Sequence, residues 1–383
     1  MLLTTLTALA LGATAPGILT QSDTLHFIYV AAGGRNTCAI APRDVAYCWG
    51  ANDQGQLGDG DRRTESKRRP TRVATEHRFL SLAVGGRFAC GITVDSLAFC
   101  WGANRDGQLG NGTTRPSLVP VPVAGSITFA SLAAGRAHAC GLTADGRAYC
   151  WGSNTDAQVG DGESWRRGSF HTEPVEVVGG HQFSALVGGG WDSSCGLASS
   201  GEALCWGGVD LLKWRAKPTS TPIMVSGEMR FWVLAGGSDH LCGLSEDATL
   251  CWGGNRSGQL GNGRNDRRTV PDTVATDSVF VSLTAGAQHT CGLTVPGQVY
   301  CWGANQSGQL GTGRGAYGNQ GWNTPQLVIG DLAFRVIVAG ESHTCGMVAD
   351  GQLYCWGENR AGQLGSGSVG TGWSNAPVLV GRD

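Results

Sequence analysis

Cysteine is the residue type whose spacing says most about chemistry in this chain. There are 14 cysteines, and they fall into seven pairs: Cys38 and Cys48, Cys90 and Cys100, Cys140 and Cys150, Cys195 and Cys205, Cys242 and Cys251, Cys291 and Cys301, Cys345 and Cys355. A short turn such as Asp145-Gly146 or Asp350-Gly351 separates the partners. A hairpin of that length sets them opposite one another on antiparallel strands. Cross-strand neighbours lie about 4.5–5.5 Å apart, within reach of a disulfide. A metal would want about four ligands per ion, which isolated pairs do not supply. Free buried thiols are the other alternative, since cysteine also packs as a small apolar residue. Matched spacing with no cysteine left over favours disulfides. The fifth pair is the exception in detail: its turn, Glu246-Asp247-Ala248, is one residue shorter and lacks glycine, so its register is free to differ.

Histidine is the second candidate. His138, His240, His289 and His343 share one position, two residues before the first cysteine of their pair. Such a ring could hold a metal near an axis. The other copies place Asn36, Phe88 and Ser193 there. A position that accepts phenylalanine and serine reads as structural, bonded to a neighbouring unit's backbone. No metal or other cofactor site is predicted. The sequence has no G-x-S-x-G and no H-E-x-x-H, and disulfide formation would leave no thiol nucleophile. An enzyme is therefore not expected.

The elements that position these residues are repeats. Cys-Trp-Gly occurs seven times, with Trp49, Trp101, Trp151, Trp206, Trp252, Trp302 and Trp356. Five copies continue as N-x-x-G-Q-L-G-x-G. The third softens this to Ala157-Gln158-Val159-Gly160, and the fourth loses it at Gly207-Gly208-Val209-Asp210. These glycines open no helix, so they suit tight turns and not phosphate-binding loops. Upstream lies Pro…Phe-x-x-Val/Leu-x-Ala-Gly, with Pro70 to Phe79, and five later copies, at a constant spacing of nine residues. A period near fifty residues marks a propeller or solenoid. The 62 glycines fit many tight turns, and the 383-residue chain is only 15% charged. The expected fold is all-β: a seven-bladed β-propeller of four-stranded antiparallel blades over residues 23–383. Pro377 to the C-terminus and Leu25 to Phe27 together restore the nine-residue spacing. The N- and C-terminal strands are therefore expected to share one blade and close the ring.

The seven copies related to C-G-L…Y-C-W-G-x-N-x-x-G-Q-L-G-x-G resemble the regulator of chromosome condensation repeat family, over nearly the whole chain from about residue 23. The resemblance implies a seven-bladed propeller closed by strands from both termini. Similar propellers serve as guanine-nucleotide exchange factors, ultraviolet sensors, ubiquitin-ligase accessory domains and secreted β-lactamase inhibitors, so fold does not fix function. The sensors carry repeated G-W-R-H-T, of which only Gly190-Trp191 stands here.

Alternation of antiparallel strands places the turn before each Cys-Gly-Leu strand on the same rim as the long connection after Cys-Trp-Gly. That rim carries nearly all variation between copies, which is where scaffolds present function. Its varied turn positions are Arg35, Arg87, Arg136, Trp191, Asp192, Asp239, Gln288 and Glu341. Its long loops, including 61–69, 163–172, 209–217, 314–323 and 368–373, add Trp165, Trp214, Trp322 and Trp373. Trp and Arg are enriched at binding hot spots. The alternative is that these tryptophans fold back as caps. Together they predict a protein- or glycan-binding rim on a monomer. The loop charges are mixed and the net charge is −2, so nucleic acid is not expected.

Seven disulfides would belong in an oxidising compartment, secreted or periplasmic. Residues 1–22 read as a leader: Leu2 to Leu11 is apolar and Ala13-Thr14-Ala15 resembles a cleavage site. No Lys or Arg precedes Arg35, so the usual basic start is absent and a plain tail is the alternative. No run is long enough to span a membrane. A cytoplasmic exchange factor for a small GTPase is the alternative function, carried by the resemblance alone.

Overall fold

The computed structural model describes residues 25–61, 63–163, 166, 168–188, 192–208, 217–314, 321–367 and 372–381. They form seven four-stranded antiparallel sheets, each built from strands consecutive in sequence. Blade 1 comprises Tyr29–Ala32, Asn36–Ala41, Val45–Ala51 and Ser66–Arg72. Blades 2 to 7 begin at Phe79, Ser131, Phe183, Val233, Phe280 and Phe334. Among the described residues there is no α-helix, only a 3₁₀ turn at Ala124–Ser126, and no helix is long and apolar enough to cross a membrane.

The strand that follows each Phe is innermost, and the seven inner strands end around an axial channel. The outermost strand carries the repeated proline, from Pro70 in Ser66–Arg72 to Pro377 in Trp373–Leu379. An edge strand tolerates proline because its missing N–H would face outward.

Every cysteine pair is directly opposed and bonded. The fifth keeps the common register. Its turn closes with the Ser245 amide on the Ala248 carbonyl, whereas the third copy closes from Thr143 to Arg147. A two-residue turn and a three-residue turn with a left-handed glycine both leave the flanking strands in the same register.

Sulfur and aromatic rings occupy opposite faces of a blade, as strand alternation requires. The Cys38–Cys48 pair therefore packs against Phe79 and Trp101 of blade 2, and Cys345–Cys355 packs against Phe27 and Trp49 of blade 1. All seven Cys-Trp-Gly tryptophans are fully buried, each 5.5–5.9 Å from a phenylalanine ring of its own repeat. Burying a ring of that size is worth about 5 kcal/mol as an upper bound. The loop after Trp49 ties blade 1 to blade 2. Asn52 accepts the Leu57 amide, which seats Leu57 in the cluster around Trp101, and the Gln56 carbonyl accepts the Trp101 indole N–H.

Closure differs from the expectation. The terminal strands do not share a blade: Trp373–Leu379 is the fourth strand of blade 7, and Tyr29–Ala32 is the first strand of blade 1. The proline strand ends the blade before it and does not begin the blade after it, because Cys48 pairs with Thr71 and Cys355 with Val378. The two ends still meet. The Phe27 amide donates to the Gly351 carbonyl in the hairpin of blade 7, as Phe334 does to Gly297 between blades 6 and 7. The ring thus closes by the same side-by-side packing that joins its other blades.

Candidate functional site: the axial mouth

Each inner strand ends in Gly-rich backbone that turns into the Cys-Gly-Leu strand. These turns hydrogen-bond in sequence around the axis: Gly34 to Gly85, Gly86 to Arg136, Ser238 to Ala287, Ala287 to Glu341, and Glu341 to Gly33. The approach leaves no room for a side chain at Gly34, where a Cβ would lie 2.4 Å from the Gly86 carbonyl oxygen. The turns surround a cavity of about 600 Å³, a volume in the usual range for ligand sites.

Arg35, Arg87 and Arg136 line this mouth from three consecutive blades, and Glu341 lines it from blade 7. Arg105, Asp53 and Asp106 join them from the N-x-x-G loops. Sequence reading passed over these three, although the rim argument could have found them, since those loops follow Cys-Trp-Gly directly. An Arg87 guanidinium nitrogen lies 3.6 Å from Asp53 Oδ2. The pair is exposed and therefore weak. Asp53 Oδ1 also accepts from Gln56. Glu341 is half-buried. Burial raises its carboxyl above the ordinary value, Glu358 adds to the rise, and Arg136 and Arg35 oppose it.

The remaining rim candidates do not join the mouth. Asp239 is turned onto its own blade, where Oδ1 accepts from Gln259. Gln288 is exposed and its Oε1 accepts from Ser257. Asp192 is exposed, with its carbonyl accepting the Gly208 amide. Trp322 is half-buried against the core of blades 6 and 7, and the Arg314 guanidinium lies 5.8 Å from its ring centre. Trp322 is therefore a cap and not an exposed anchor. Trp373 begins the outer strand of blade 7 and is partly exposed. Trp165, Trp191 and Trp214 lie outside the described residues, as does Gly190.

The histidines lie beneath the mouth and are not ligands of a shared centre. Nε2 of His138, His240, His289 and His343 sits 2.9 Å from the hydroxyl of Ser194, Thr290, Thr344 and Thr37, each on the next blade. The partner common to all four is thus a side-chain hydroxyl, and His138 also has the backbone partner expected, at Ser193 of the next blade. Each hydroxyl gives its one proton to a glutamine carbonyl, for example Thr37 to Gln363 and Thr290 to Gln259. The imidazole must then donate from Nε2, and Nδ1 carries no proton. Burial pushes these rings down to about 4 for His138, His240 and His343, and about 3 for His289. Among the described residues no three or more His, Cys, Asp or Glu side chains come together as a metal site.

One apolar feature was missed on the opposite rim. Trp232, Val279 and Val295 are 56%, 77% and 80% exposed there, at the start of inner strands or in hairpins. For Trp232 the available signal was its place directly after the repeated Phe231.

The regulator of chromosome condensation (RCC1) repeat matches residues 44–92, 95–142, 246–293, 296–347 and 350–382. This chain belongs to that family. A second description of the RCC1 repeat also matches residues 129–158, across the third Cys-Trp-Gly. Among relatives, the Ultraviolet-B receptor UVR8 of Arabidopsis thaliana is 25% identical over 369 residues, covering 89% of this chain and 67% of the receptor. The human E3 ubiquitin-protein ligase HERC2 is 27% identical over 363 residues, covering 90% of this chain but 6% of the ligase. Human WBSCR16 has a similar structure, with a TM-score of 0.77 and 22% identity over 88% of this chain and 94% of that one. Yeast RCC1 (Prp20), solved bound to Kap60, gives 0.74 and 20% over 97% and 91%. At those identities the structures show a shared propeller fold.

Proposed function

We propose that this RCC1-repeat propeller is a non-enzymatic binding protein that works in an oxidising compartment and presents the mouth rim to a protein ligand. The observation that carries the reading is the convergence of Arg35, Arg87, Arg136 and Glu341 from four blades on one cavity, on the rim that also bears the long variable loops. Every cysteine is spent in a disulfide, which supports export and leaves no thiol for catalysis. On this reading residues 1–22 are a leader. Glycans are the alternative ligand class for the same rim.

Site-specific photo-crosslinking tests the rim. A photoreactive residue replacing Gln288, on the mouth rim, is expected to trap a discrete protein adduct in material from the native compartment. One replacing Val295, on the opposite rim, is expected to trap none. The adduct should fade in the Arg35→Ala, Arg87→Ala double variant. Adducts formed only from position 295 would overturn the reading.

A further inference from the structure

Asn36 stands in blade 1 where His138, His240, His289 and His343 stand in blades 3, 5, 6 and 7. It keeps their backbone register, opposite Gly50 as His343 is opposite Gly357. The side chain is completely buried, and neither Nδ2 nor Oδ1 has a hydrogen-bond partner in the protein. On blade 2 the place of the partner hydroxyl is taken by Ala89, also completely buried. The seam has therefore lost the distal ring atoms, a hydroxyl and a methyl that the His343–Thr37 pair supplies, on an unchanged backbone. Asn36 does not reach the ring's place: a Cβ on Gly340 would stand 2.1 Å from His343 Cε1, whereas the atoms nearest to one on Gly33 are the Val84 and Gly85 carbonyl oxygens and a Val84 methyl. The carbonyl below the pair is short of a donor as well. Gln363 accepts from both the Thr37 hydroxyl and the Trp49 indole, while Gln56 keeps the Trp101 indole and has no hydroxyl above it. At the next seam Phe88 packs with Ala139 and brings no polar group of its own. Asn36 does, and native proteins pair such buried groups with ordered water where the chain offers no partner.

We infer that the seam between blades 1 and 2 binds an internal water, held between the Asn36 side-chain amide and the Gln56 carbonyl, which ties these blades as the imidazole–hydroxyl pair ties blade 7 to blade 1. The water donates one proton to Gln56, as Thr37 does to Gln363, and bonds Asn36 through its other proton or its lone pairs. A small neutral ligand that both donates and accepts matches the two ends of the Asn36 amide, since Nδ2 donates and Oδ1 accepts. A seam of this kind carries a polar tie without a titrating ring.

The test is crystallography of the full chain, fine enough to show ordered water, with two variants beside the wild type. The wild type should show a water within hydrogen-bond distance of both the Asn36 side chain and the Gln56 carbonyl. Asn36→Phe, which copies the seam of Phe88 and Ala139, should lose that water and keep the other internal ones. Asn36→His with Ala89→Thr, which copies the closing seam, should lose it too, with the new imidazole bonded to the new hydroxyl. Its melting temperature should also fall further between pH 7.5 and pH 5 than that of the wild type, because one more buried ring refuses a proton. An Asn36 amide bonded only to protein atoms would overturn the inference. So would a water that persists in Asn36→Phe, which would make it a ligand of Gln56 alone. Failure of both variants to fold would mean that the seam lacks the space, and the inference would fall with it.

Discussion

Nε2 of His343 lies 2.9 Å from Oγ1 of Thr37, across 306 residues of sequence and inside the seam that closes the ring. The same clamp joins blade 3 to 4, 5 to 6 and 6 to 7. The three remaining seams lack it on both sides at once. Asn36, Phe88 and Ser193 replace the histidine, and Ala89, Ala139 and Leu241 replace the hydroxyl one blade on. The two positions have therefore changed together within one chain. At the Phe88–Ala139 seam that is the expected result if a buried imidazole N–H without an acceptor costs more than an apolar pair.

A double-mutant cycle at the closing seam follows directly. Thr37→Ala removes the acceptor and should destabilise the fold by about 1–3 kcal/mol in urea titration. Adding His343→Phe should restore much of that loss, because Phe88 and Ala139 already pack together in a shared core at the seam between blades 2 and 3. Additive losses from the two substitutions would mean that the clamp is not a coupled unit.

Acid should act on the same clamps. The folded rings titrate near 4 or below, against an ordinary histidine value of 6.5, because burial disfavours the imidazolium. The unfolded chain therefore takes up protons that the folded chain refuses. Stability from this source is complete above pH 6.5, falls as pH drops from 6.5 toward 4, and levels off below the folded values. At pH 5 each ring should cost the fold about 2 kcal/mol. Urea midpoints at pH 7.5 and pH 5 measure the slope. The His343→Phe, Thr37→Ala variant should show a shallower slope by one ring's share. An equal slope would assign the acid sensitivity to carboxylates.

The blades were legible because each repeat states its own local geometry. Hairpin length fixes the opposition of Cys140 and Cys150, and strand alternation puts Trp151 on the other face. The phase of the repeat was not legible. A periodic sequence fits equally well wherever the unit is cut, and only the ladder from Cys48 to Thr71 shows that the proline strand ends a blade. The mouth was half legible. Chain alternation selected the rim and so found Arg35, Arg87, Arg136 and Glu341. It could not show that Asp239 folds onto its own loop, because one torsion decides between cavity and wall. The hydroxyl partners of the histidines were missed because each belongs to the next blade, 50 to 56 residues on in three cases and 306 residues away across the closing seam in the fourth.

The disulfides should carry measurable stability. Each closes a loop with a sequence separation of ten, or nine in the fifth blade. The chain-entropy treatment assigns such a loop about 3 kcal/mol. Cys140→Ala with Cys150→Ala should lower the urea midpoint accordingly. Alanine at both positions avoids leaving a lone thiol to exchange. Thiol titration of the denatured, unreduced protein should find almost none free. Close to fourteen would place the working protein in a reducing compartment and remove the support for export.

Two glycines separate steric from conformational constraint in the ring. Gly340 has no left-handed requirement, but a Cβ there would stand 2.1 Å from His343 Cε1 and 2.4 Å from the Gly33 carbonyl oxygen. Gly60 is the converse, with φ of 76° and its nearest neighbour 3.8 Å away. Gly60→Ala should cost about 1–2 kcal/mol from backbone strain alone. Gly340→Ala must instead push the blade 7 clamp or the blade 1 turn aside, an overpacking cost of about 1–3 kcal/mol. Because the displaced group is His343, the Gly340→Ala penalty should shrink when Thr37→Ala is already present. The Gly60→Ala penalty should stay constant in that background. Melting all four combinations would decide it, and equal behaviour of the two glycines would mean that the turn at Gly340 yields without disturbing the seam.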